Sequence, residues 1–257
     1  MKLGFIVLHY IFSEITDNCL QSISLHAADM PVLVVDNGSP IPYQSNKPVL
    51  RLEKNISLAA AMNLGTRNLL EQNNVDIALQ LNNDILITEN TVTEIEWVFG
   101  TFHQVGVASP VMDQKDADFA YFPCPFDPGE EAEKYLAQTL PKHKKISLPF
   151  VDNAAFAIRR STWEQVGPLE ERFTGASWGA NYDYCWRARA LKWDVALVKS
   201  AFVFHKHRST WSQLDKSYFE NSVNKMMAQT QEVWGDLARK VLWRDQSWKQ
   251  EFLGTEE

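Results

Sequence analysis

The 257-residue sequence has few cysteines, no long apolar run and no excess of positive charge, and each shortage excludes a class of protein. Its 3 cysteines (Cys19, Cys124 and Cys185) are odd in number and widely spaced, which predicts neither a disulfide framework nor a zinc site and is typical of the cytoplasm. No stretch approaches about 18 consecutive apolar residues, so we expect no membrane span. The first residues lack the length and cleavage site of a signal peptide. The formal charge of −7 disfavours a general nucleic-acid binder.

What the sequence does contain is the composition of a globular protein. Hydrophobic residues make up 45% and charged residues 22% of the chain, which is enough apolar material for a substantial core. The length suits one large domain, or one domain with a small appendage. We predict a main domain over residues 1–215, with a loop or insertion at 113–149, and a helical extension over 216–257.

Short apolar runs alternate with segments of helical spacing. The apolar runs predict strands at residues 3–9, 32–35, 50–52, 77–81, 150–159 and 195–198. Helical spacing predicts helices at residues 16–28, 57–72, 161–166, 182–191 and 218–252, with Ser57 as a cap. This order is typical of an α/β fold with a doubly wound, mixed and mainly parallel sheet, helices on both faces and a helical C-terminal tail.

Two acidic residues lie at the ends of predicted strands, at the sheet edge where ligands of open α/β sheets gather. Asp36 either accepts hydrogen bonds from a ribose or a base, or caps the turn that follows it. Asp84 ends the run Asn82-Asn83-Asp84. It is either part of an ordinary polar turn, or a ligand of a hard divalent cation that offsets the charge of a diphosphate.

Two later segments carry further candidates. Asp183 and Arg187 lie four residues apart on one face of a predicted helix, either as an ordinary ion pair or as a cleft-facing carboxylate that the arginine positions. The segment around His205, Lys206 and His207 follows the last predicted strand. It is either surface, or a source of an imidazole for a metal and an ammonium for a phosphate.

Taken in order, these segments resemble the family-2 glycosyltransferases with the GT-A fold, particularly the rhamnosyltransferase-like members. The likeness covers about residues 3–210. It rests on IVLHY at 6–10, VVDNGS at 34–39, NISLAAAMNLG at 55–65, LNND at 81–84, RR at 159–160, VGPLEERF at 166–173, DYCWRAR at 183–189 and His205.

The resemblance implies a hexosyltransferase that moves a sugar from a nucleotide-diphosphate donor to an acceptor hydroxyl on a glycan or lipid-linked sugar, assisted by Mn²⁺ or Mg²⁺. It implies that the metal is held by Asp84 and by His205 or, less readily, His207. The donor would contact His9, Tyr10, Asp36, Asn55, Asn63, Asn82 and Asn83.

The chain departs from the family at one catalytic position. The family usually has two adjacent acidic residues, of which the second is the general base, where this chain has Ala180 and Asn181. An asparagine cannot take a proton at neutral pH. Asp183 is then the favoured base and Asp152 an alternative; a retaining reaction, in which the leaving phosphate accepts the proton, and a loss of activity also stay open.

Two other functions remain as hypotheses. The basic residues 142–145 and nearby aromatic residues suit transfer of a sugar to a modified nucleic-acid base. A protein that only binds sugar nucleotides, without turnover, is the other. The Trp-rich tail is expected to pack on the domain or to pair with a second copy of the chain.

Overall fold

The computed structural model describes residues 1–73, 75–113, 120–174, 179–206 and 216–235. These residues form nine strands and seven helices. The strands are β1 (Leu3–His9), β2 (Val32–Asp36), β3 (Val49–Arg51), β4 (Ile77–Asn82), β5 (Ile85–Ile87), β6 (Val105–Met112), β7 (Lys145–Ser147), β8 (Ala155–Arg159) and β9 (Asp194–His205). The helices are α1 (Ser13–His26), α2 (Leu58–Asn73), α3 (Glu89–Thr101), α4 (Glu130–Thr139), α5 (Arg160–Val166), α6 (Ala180–Ala190) and α7 (Lys216–Trp234).

The described strands form one mixed sheet in the order β3-β2-β1-β4-β8-β6-β9-β5, and β7 pairs with β9. β1 pairs in parallel with β2 and β4, and β6 pairs in parallel with β9. β8 lies antiparallel between β4 and β6, while β5 and β7 are antiparallel to β9. Most of the described strands therefore point the same way. The predicted mixed, mainly parallel α/β sheet is confirmed.

Helices cover both faces of the sheet. Along β1, Phe5 and Val7 face a buried cluster that includes side chains of α1 and α3, whereas Ile6 faces a second cluster with α2, α4 and α6. Because both faces are buried, the strands are continuous apolar runs instead of alternating ones. The hydroxyl of Ser57 accepts a hydrogen bond from the amide of Ala60 at 3.2 Å, which confirms the predicted cap of α2.

The largest differences from the predicted elements lie after β4. β5, α3 and β6 occupy a stretch for which no element is predicted above, and β9 is much longer than the predicted strand at 195–198. The register of β9 against β6 shifts after the pair of Pro110 and Val198. The apolar run that predicts the strand ends at this irregularity, whereas β9 itself continues beyond it. The predicted strand at 150–159 forms only from Ala155 onward.

The stretch predicted as a loop or insertion at 113–149 contains α4 and β7 among its described residues. Glu130, Glu131 and Glu133 lie in the first turn of α4, where carboxylates interact favourably with the helix dipole. Ala132 and Leu136 are its buried residues, and β7 pairs with β9. This part of the chain is therefore integrated into the domain.

α7 packs on the domain and ends at Gly235, which has the left-handed φ of 58° typical of a residue that terminates a helix. Among the side chains of α7 that the structure describes, those of Met226 and Thr230 are buried. The rest of the helix predicted at 218–252 lies outside the described residues. In the described parts of the chain, none of the helices combines the length and hydropathy needed to cross a bilayer.

We expect Gly65→Ala to destabilise the protein, although alanine stabilises a helix by about 1 kcal/mol relative to glycine. A Cβ at Gly65 would lie 2.8 Å from methyl groups of Ile6 and Val35, because α2 lies close against the sheet. Overpacking of this kind costs about 1–3 kcal/mol and outweighs the gain. Urea unfolding measures the net loss.

Gly100→Ala is the matched control within α3. Among the described residues, no side chain or distant backbone atom lies within 4 Å of a Cβ placed there. This variant should gain about 0.5–1 kcal/mol from helix propensity alone. Equal effects of the two substitutions would contradict the close approach of α2 to the sheet.

Candidate active site

The candidate site lies at the carboxyl ends of the central parallel strands. In the register of the sheet, His9 at the end of β1 pairs with Asp36 at the end of β2, and Leu8 pairs with Asn82 at the end of β4. Residues that follow these strands therefore meet at one edge, as the strand-end rule predicts.

Asp84 and His205 come together because β5 pairs antiparallel with the last residues of β9. This register places Ile85 opposite His205, so that the preceding residue, Asp84, lies beside the imidazole. Asp84 Oδ1 is 3.4 Å from His205 Nε2, and the two side chains are only 9% and 8% exposed. The amide of Lys206 also donates to the backbone carbonyl of Asp84 at 3.0 Å. The structure thus brings the two predicted metal ligands into one place.

Negative charge surrounds the imidazole of His205. Burial alone would lower the pKa of His205, but its contact with Asp84 and the charges of Asp84, Asp152 and Asp113 outweigh burial and raise it. Asp113 Oδ1 accepts a hydrogen bond from the His205 amide at 2.9 Å, and burial raises the pKa of this carboxyl. The pocket around His205 therefore favours positive charge.

The donor atoms of Asp84 and His205 suit a hard or borderline divalent cation such as Mg²⁺ or Mn²⁺. Two neighbouring ligands of an octahedral cation, each at about 2.1 Å, stand about 3 Å apart. The observed separation of 3.4 Å is close to this. In the described residues, no group of three or more His, Cys, Asp or Glu side chains is placed to surround a metal. The pair therefore fits a cation that takes its remaining ligands from phosphate and water.

A hydrogen-bonded chain of side chains connects the ends of β1 and β4. Thr16 Oγ1 lies 2.7 Å from His9 Nδ1 and accepts a hydrogen bond from Asn83 Nδ2 at 3.0 Å. The His9 ring also stacks on Tyr43 with a centroid distance of 4.2 Å. Burial lowers the pKa of His9 and favours its neutral form.

Two buried polar atoms at this edge have no hydrogen-bond partner in the part of the chain that the structure describes. His9 Nε2 and Asn82 Oδ1 are buried without one among the described residues. Most buried polar atoms in proteins are paired, and an unpaired one requires an explanation such as an absent ligand or water. These atoms are therefore candidates for contact with a bound molecule.

The carboxylate of Asp36 is fully buried and occupied by internal partners. Oδ1 accepts a hydrogen bond from the Ser39 amide at 3.0 Å, and Oδ2 accepts from the Tyr43 amide at 2.9 Å and from Arg51 Nη1 at 2.6 Å. Burial alone would raise the pKa of Asp36, but these donors outweigh it and lower the pKa. This geometry corresponds to the turn-capping alternative; a contact of Asp36 with the nucleotide stays a prediction.

The side chain of Asn55 connects two loops, and its contact with a donor stays a prediction. Its amide donates to the backbone carbonyl of Asn37 at 3.0 Å, while the side chain of Asn37 bonds both the amide and the carbonyl of Ile56. Gly38 makes this approach possible, since its φ is 71° and an added Cβ would lie 2.2 Å from the carbonyl carbon of Lys54.

Asn63 and Tyr10 differ in how far their side chains are engaged. The Asn63 amide is buried and bonds the backbone of Leu169 in both directions and Glu171 Oε1, so it holds the loop before α6. Tyr10 is half-buried directly after β1, next to Ile11, whose φ of 67° is unusual for a β-branched residue. Their contact with a donor stays a prediction.

Asp183 forms the predicted ion pair with Arg187, and both of its oxygens are engaged. Oδ2 accepts from Arg187 Nε at 2.7 Å, and Oδ1 accepts from the indole of Trp234 at 3.0 Å. Arg187 also donates to the carbonyls of Val166 and Pro168. The buried carboxylate thus connects α6 to α7, and this engagement weighs against its use as a base.

Asn181 and Asp152 lie on neighbouring segments. Asn181 Nδ2 donates to the carbonyl of Val151 at 2.7 Å. Asp152 is half-buried, and its Oδ1 accepts a hydrogen bond from the Ala154 amide at 2.7 Å. No hydrogen bond to its Oδ2 is found within the described part of the chain.

Two residues at or near the site were not singled out from the sequence. Asp113 directly follows β6, so the strand-end rule that identifies Asp36 and Asp84 would also have found it. Nothing in the local pattern predicts the contact of Trp234 with Asp183. His207 lies outside the described residues.

Two cavities are bounded by the described residues. One of about 660 Å³ is bounded by α1, β5, the segment that leads into α4 and the two neighbours of His205, Phe204 and Lys206; one of about 390 Å³ lies between α3 and α4. Neither is lined by Asp84, His205 or Asp152. We therefore assign neither cavity to the donor.

No family model and no curated protein matches this chain. Among solved structures, it is similar to GalNAc-T7 with UDP, GalNAc and Mn²⁺, with a TM-score of 0.68 and 13% identity over 93% of this chain and 50% of that one. The mannosyltransferase PcManGT from Pyrobaculum calidifontis, in complex with GDP-Man and Mn²⁺, has a TM-score of 0.61 and 13% identity over 89% and 64%. S. aureus TarS 1-349 has a TM-score of 0.56 and 12% identity over 96% and 76%.

These similarities identify the fold as that of the GT-A glycosyltransferases. At such low identity they show the fold alone. The chain spans about half the length of the GalNAc-T7 chain. They do not distinguish the rhamnosyltransferase-like members of the fold.

We expect Asp36→Asn to lose about 1–3 kcal/mol of stability at pH 7, because hydrogen bonds to a charged group are replaced by weaker ones. The pKa of Asp36 is lowered by folding, so its contribution is present above the unfolded value of about 3.9 and is lost as the pH falls through the folded value. Urea unfolding of the wild type and of Asp36→Asn should therefore show a difference in the free energy of unfolding that narrows below about pH 4. A constant difference would contradict this account.

We expect Trp234→Phe to lower stability by about 2 kcal/mol, since a hydrogen bond to a buried carboxylate is lost. The melting temperature should fall by roughly 4–8 °C. Trp193→Phe is the control, because this half-buried indole donates to the exposed side chain of Gln165 and not to a buried carboxylate; it should change stability by less than Trp234→Phe does. Equal melting temperatures for the two variants would show that α7 is not held through Asp183.

Proposed function

We propose that this protein is a glycosyltransferase that moves a hexose from a nucleotide-diphosphate donor to a hydroxyl of a carbohydrate or lipid-linked acceptor, assisted by Mn²⁺ or Mg²⁺. The contact between Asp84 and His205 at the carboxyl edge of a GT-A sheet carries this proposal. The similar structures of GalNAc-T7 and PcManGT contain Mn²⁺ together with a nucleotide or a nucleotide-sugar. That supports a nucleotide-sugar donor and a divalent cation for this protein as well.

Asp84 and His205 would hold the cation. When bound, it supplies the positive charge that offsets the charge developing on the departing diphosphate. Asp113 bonds the His205 amide and so helps to hold that residue in place. The main contributions of the protein are then orientation of the donor and electrostatic complementarity to the leaving group.

The ends of β1 and β4 supply groups that orient the donor. His9 Nδ1 contacts Thr16 Oγ1 at 2.7 Å, and Asn83 donates to the same hydroxyl, so Nε2 is the ring nitrogen left for a bound molecule. With its proton on Nε2, His9 would donate to a phosphate or hydroxyl oxygen, and Asn82 Oδ1 would accept from a hydroxyl. The loop contacts of Asp36 and Asn55 keep the neighbouring rim in place.

A nucleic-acid acceptor receives less support. Within the basic residues 142–145, the ammonium of Lys145 lies 2.7 Å from Asp194 Oδ2, so this charge is already neutralised by an internal partner. The net charge of −7 also disfavours a polyanion. We therefore favour a carbohydrate or lipid-linked acceptor.

A thermal-shift screen tests the donor and metal site. The panel comprises UDP-GalNAc, GDP-mannose and dTDP-rhamnose, each with and without Mn²⁺; the last represents the rhamnosyltransferase-like resemblance. A donor at about 100 times its Kd stabilises the protein by about 2.7 kcal/mol, which raises the melting temperature by roughly 5–11 °C. We expect such a shift for at least one donor in the presence of Mn²⁺.

Asp84→Ala should remove the Mn²⁺-dependent part of that shift, because it deletes one of the two protein ligands. Asp127→Asn, which changes an exposed carboxylate beside the 660 Å³ cavity, should retain it. A full Mn²⁺-dependent shift in Asp84→Ala would refute the metal site. Donor binding without any release of nucleoside diphosphate would instead identify a protein that only binds sugar nucleotides.

A further inference from the structure

We propose that Asp152 is the general base that deprotonates the acceptor hydroxyl, and that Asn181 is a positioning residue that holds the segment carrying it. This inference rests on the proposed glycosyltransferase function. It assigns the base to the segment that leads into β8, instead of to α6.

The topology places Asp152 at the edge where Asp84 and His205 lie. β8 is antiparallel to β4, with Ala155 opposite Leu81, so the start of β8 lies beside the end of β4. The amide of Asn82 donates to the carbonyl of Ala154 at 2.9 Å and extends this pairing by one step. Asp152 lies two residues earlier and therefore enters the same edge.

Only one of the two carboxylate oxygens of Asp152 accepts a hydrogen bond from the described residues. Its Oδ1 accepts a hydrogen bond from the Ala154 amide, which fixes the side chain in an Asx turn. Within the described residues, Oδ2 has no such bond, and the residue is only half-buried. The charge of Asp152 also acts on His205 and on Tyr182, which agrees with a position between the metal pair and α6.

Asp183 and Asn181, the two residues of α6 considered as the base, are engaged in other contacts. Asp183 accepts hydrogen bonds from Arg187 and Trp234 on its two oxygens. Asn181 cannot accept a proton, and its amide donates to the carbonyl of Val151, the neighbour of Asp152. Asn181, which cannot act as a base, therefore holds the backbone next to Asp152, which can.

The reaction is a single displacement. The acceptor O–H transfers its proton to Asp152 Oδ2 while the acceptor oxygen forms a bond to the anomeric carbon of the donor. The bond from that carbon to the phosphate oxygen breaks, and its electron pair leaves with the nucleoside diphosphate. Asp152 then returns the proton to solvent. Because the nucleophile attacks opposite the leaving group, the anomeric configuration is inverted.

Asp152→Asn tests the base and preserves the fold, because the amide oxygen still accepts from Ala154. The assay measures release of nucleoside diphosphate from UDP-GalNAc, GDP-mannose and dTDP-rhamnose with Mn²⁺ and with water as acceptor. We expect kcat to fall about 10²–10⁴-fold, while the donor-induced thermal shift is unchanged. A kcat within about threefold of the wild type would overturn the assignment.

Sodium azide separates loss of the base from loss of structure. Azide is already an anion and needs no deprotonation, so it should restore donor turnover in Asp152→Asn to within about tenfold of the wild-type rate. The product should be a glycosyl azide of inverted configuration. Asp84→Ala should not recover, because it lacks the metal ligand. An absence of recovery in Asp152→Asn overturns the role as a base. No nucleotide release by the wild-type protein from any of these donors overturns the proposed function and this inference together.

Asn181→Asp distinguishes Asp152 from a base on α6. The substitution removes the hydrogen bond to Val151 and sets a carboxylate against a carbonyl oxygen in a buried position. We expect a lower melting temperature and a kcat at or below that of the wild type. A gain of about tenfold or more would return the base to α6 and overturn the inference.

Discussion

The candidate site depends on the antiparallel pairing of β5 with the end of β9. β5 has only three residues, yet its register sets Ile85 opposite His205 and so holds the imidazole next to Asp84. β9 reaches this position because it continues past the register shift that follows Val198. Its first part pairs with β7 and β6 and its last part with β5, so one strand connects the middle of the sheet with the contact between Asp84 and His205.

The acidic residues around the site divide into two groups by their hydrogen bonds. Asp36 and Asp183 are buried, and donors occupy both oxygens of each carboxylate. Such carboxylates are anchors, because protonation or rearrangement would break several charge-assisted bonds. Asp84 faces an imidazole, and Asp152 has one oxygen with no bond in the described residues. The edge of the sheet therefore combines carboxylates that several hydrogen bonds hold in place with carboxylates that make fewer bonds to the described residues.

Much of the central sheet and part of the site could be predicted from the sequence. The strands around Asp36 and Asp84 were correctly placed because a buried parallel strand is an unbroken apolar run that ends in a polar turn. The strand-end rule also led to His205, which the structure places beside Asp84. Short or irregular elements such as β5 and β7 could not be predicted, since three residues are too few to show a period and their pairing partners are distant in sequence.

The sequence by itself determined the α/β order of elements, the burial of the central strands on both faces and the polar residues at the strand ends, because these depend on local hydrophobic patterns. Only the tertiary structure decided which of those polar residues are engaged. Arg51 reaches Asp36, and Trp234 reaches Asp183 across 51 positions of sequence. Such hydrogen bonds depend on strand register and on how helices pack against each other, and no local pattern of residues encodes either.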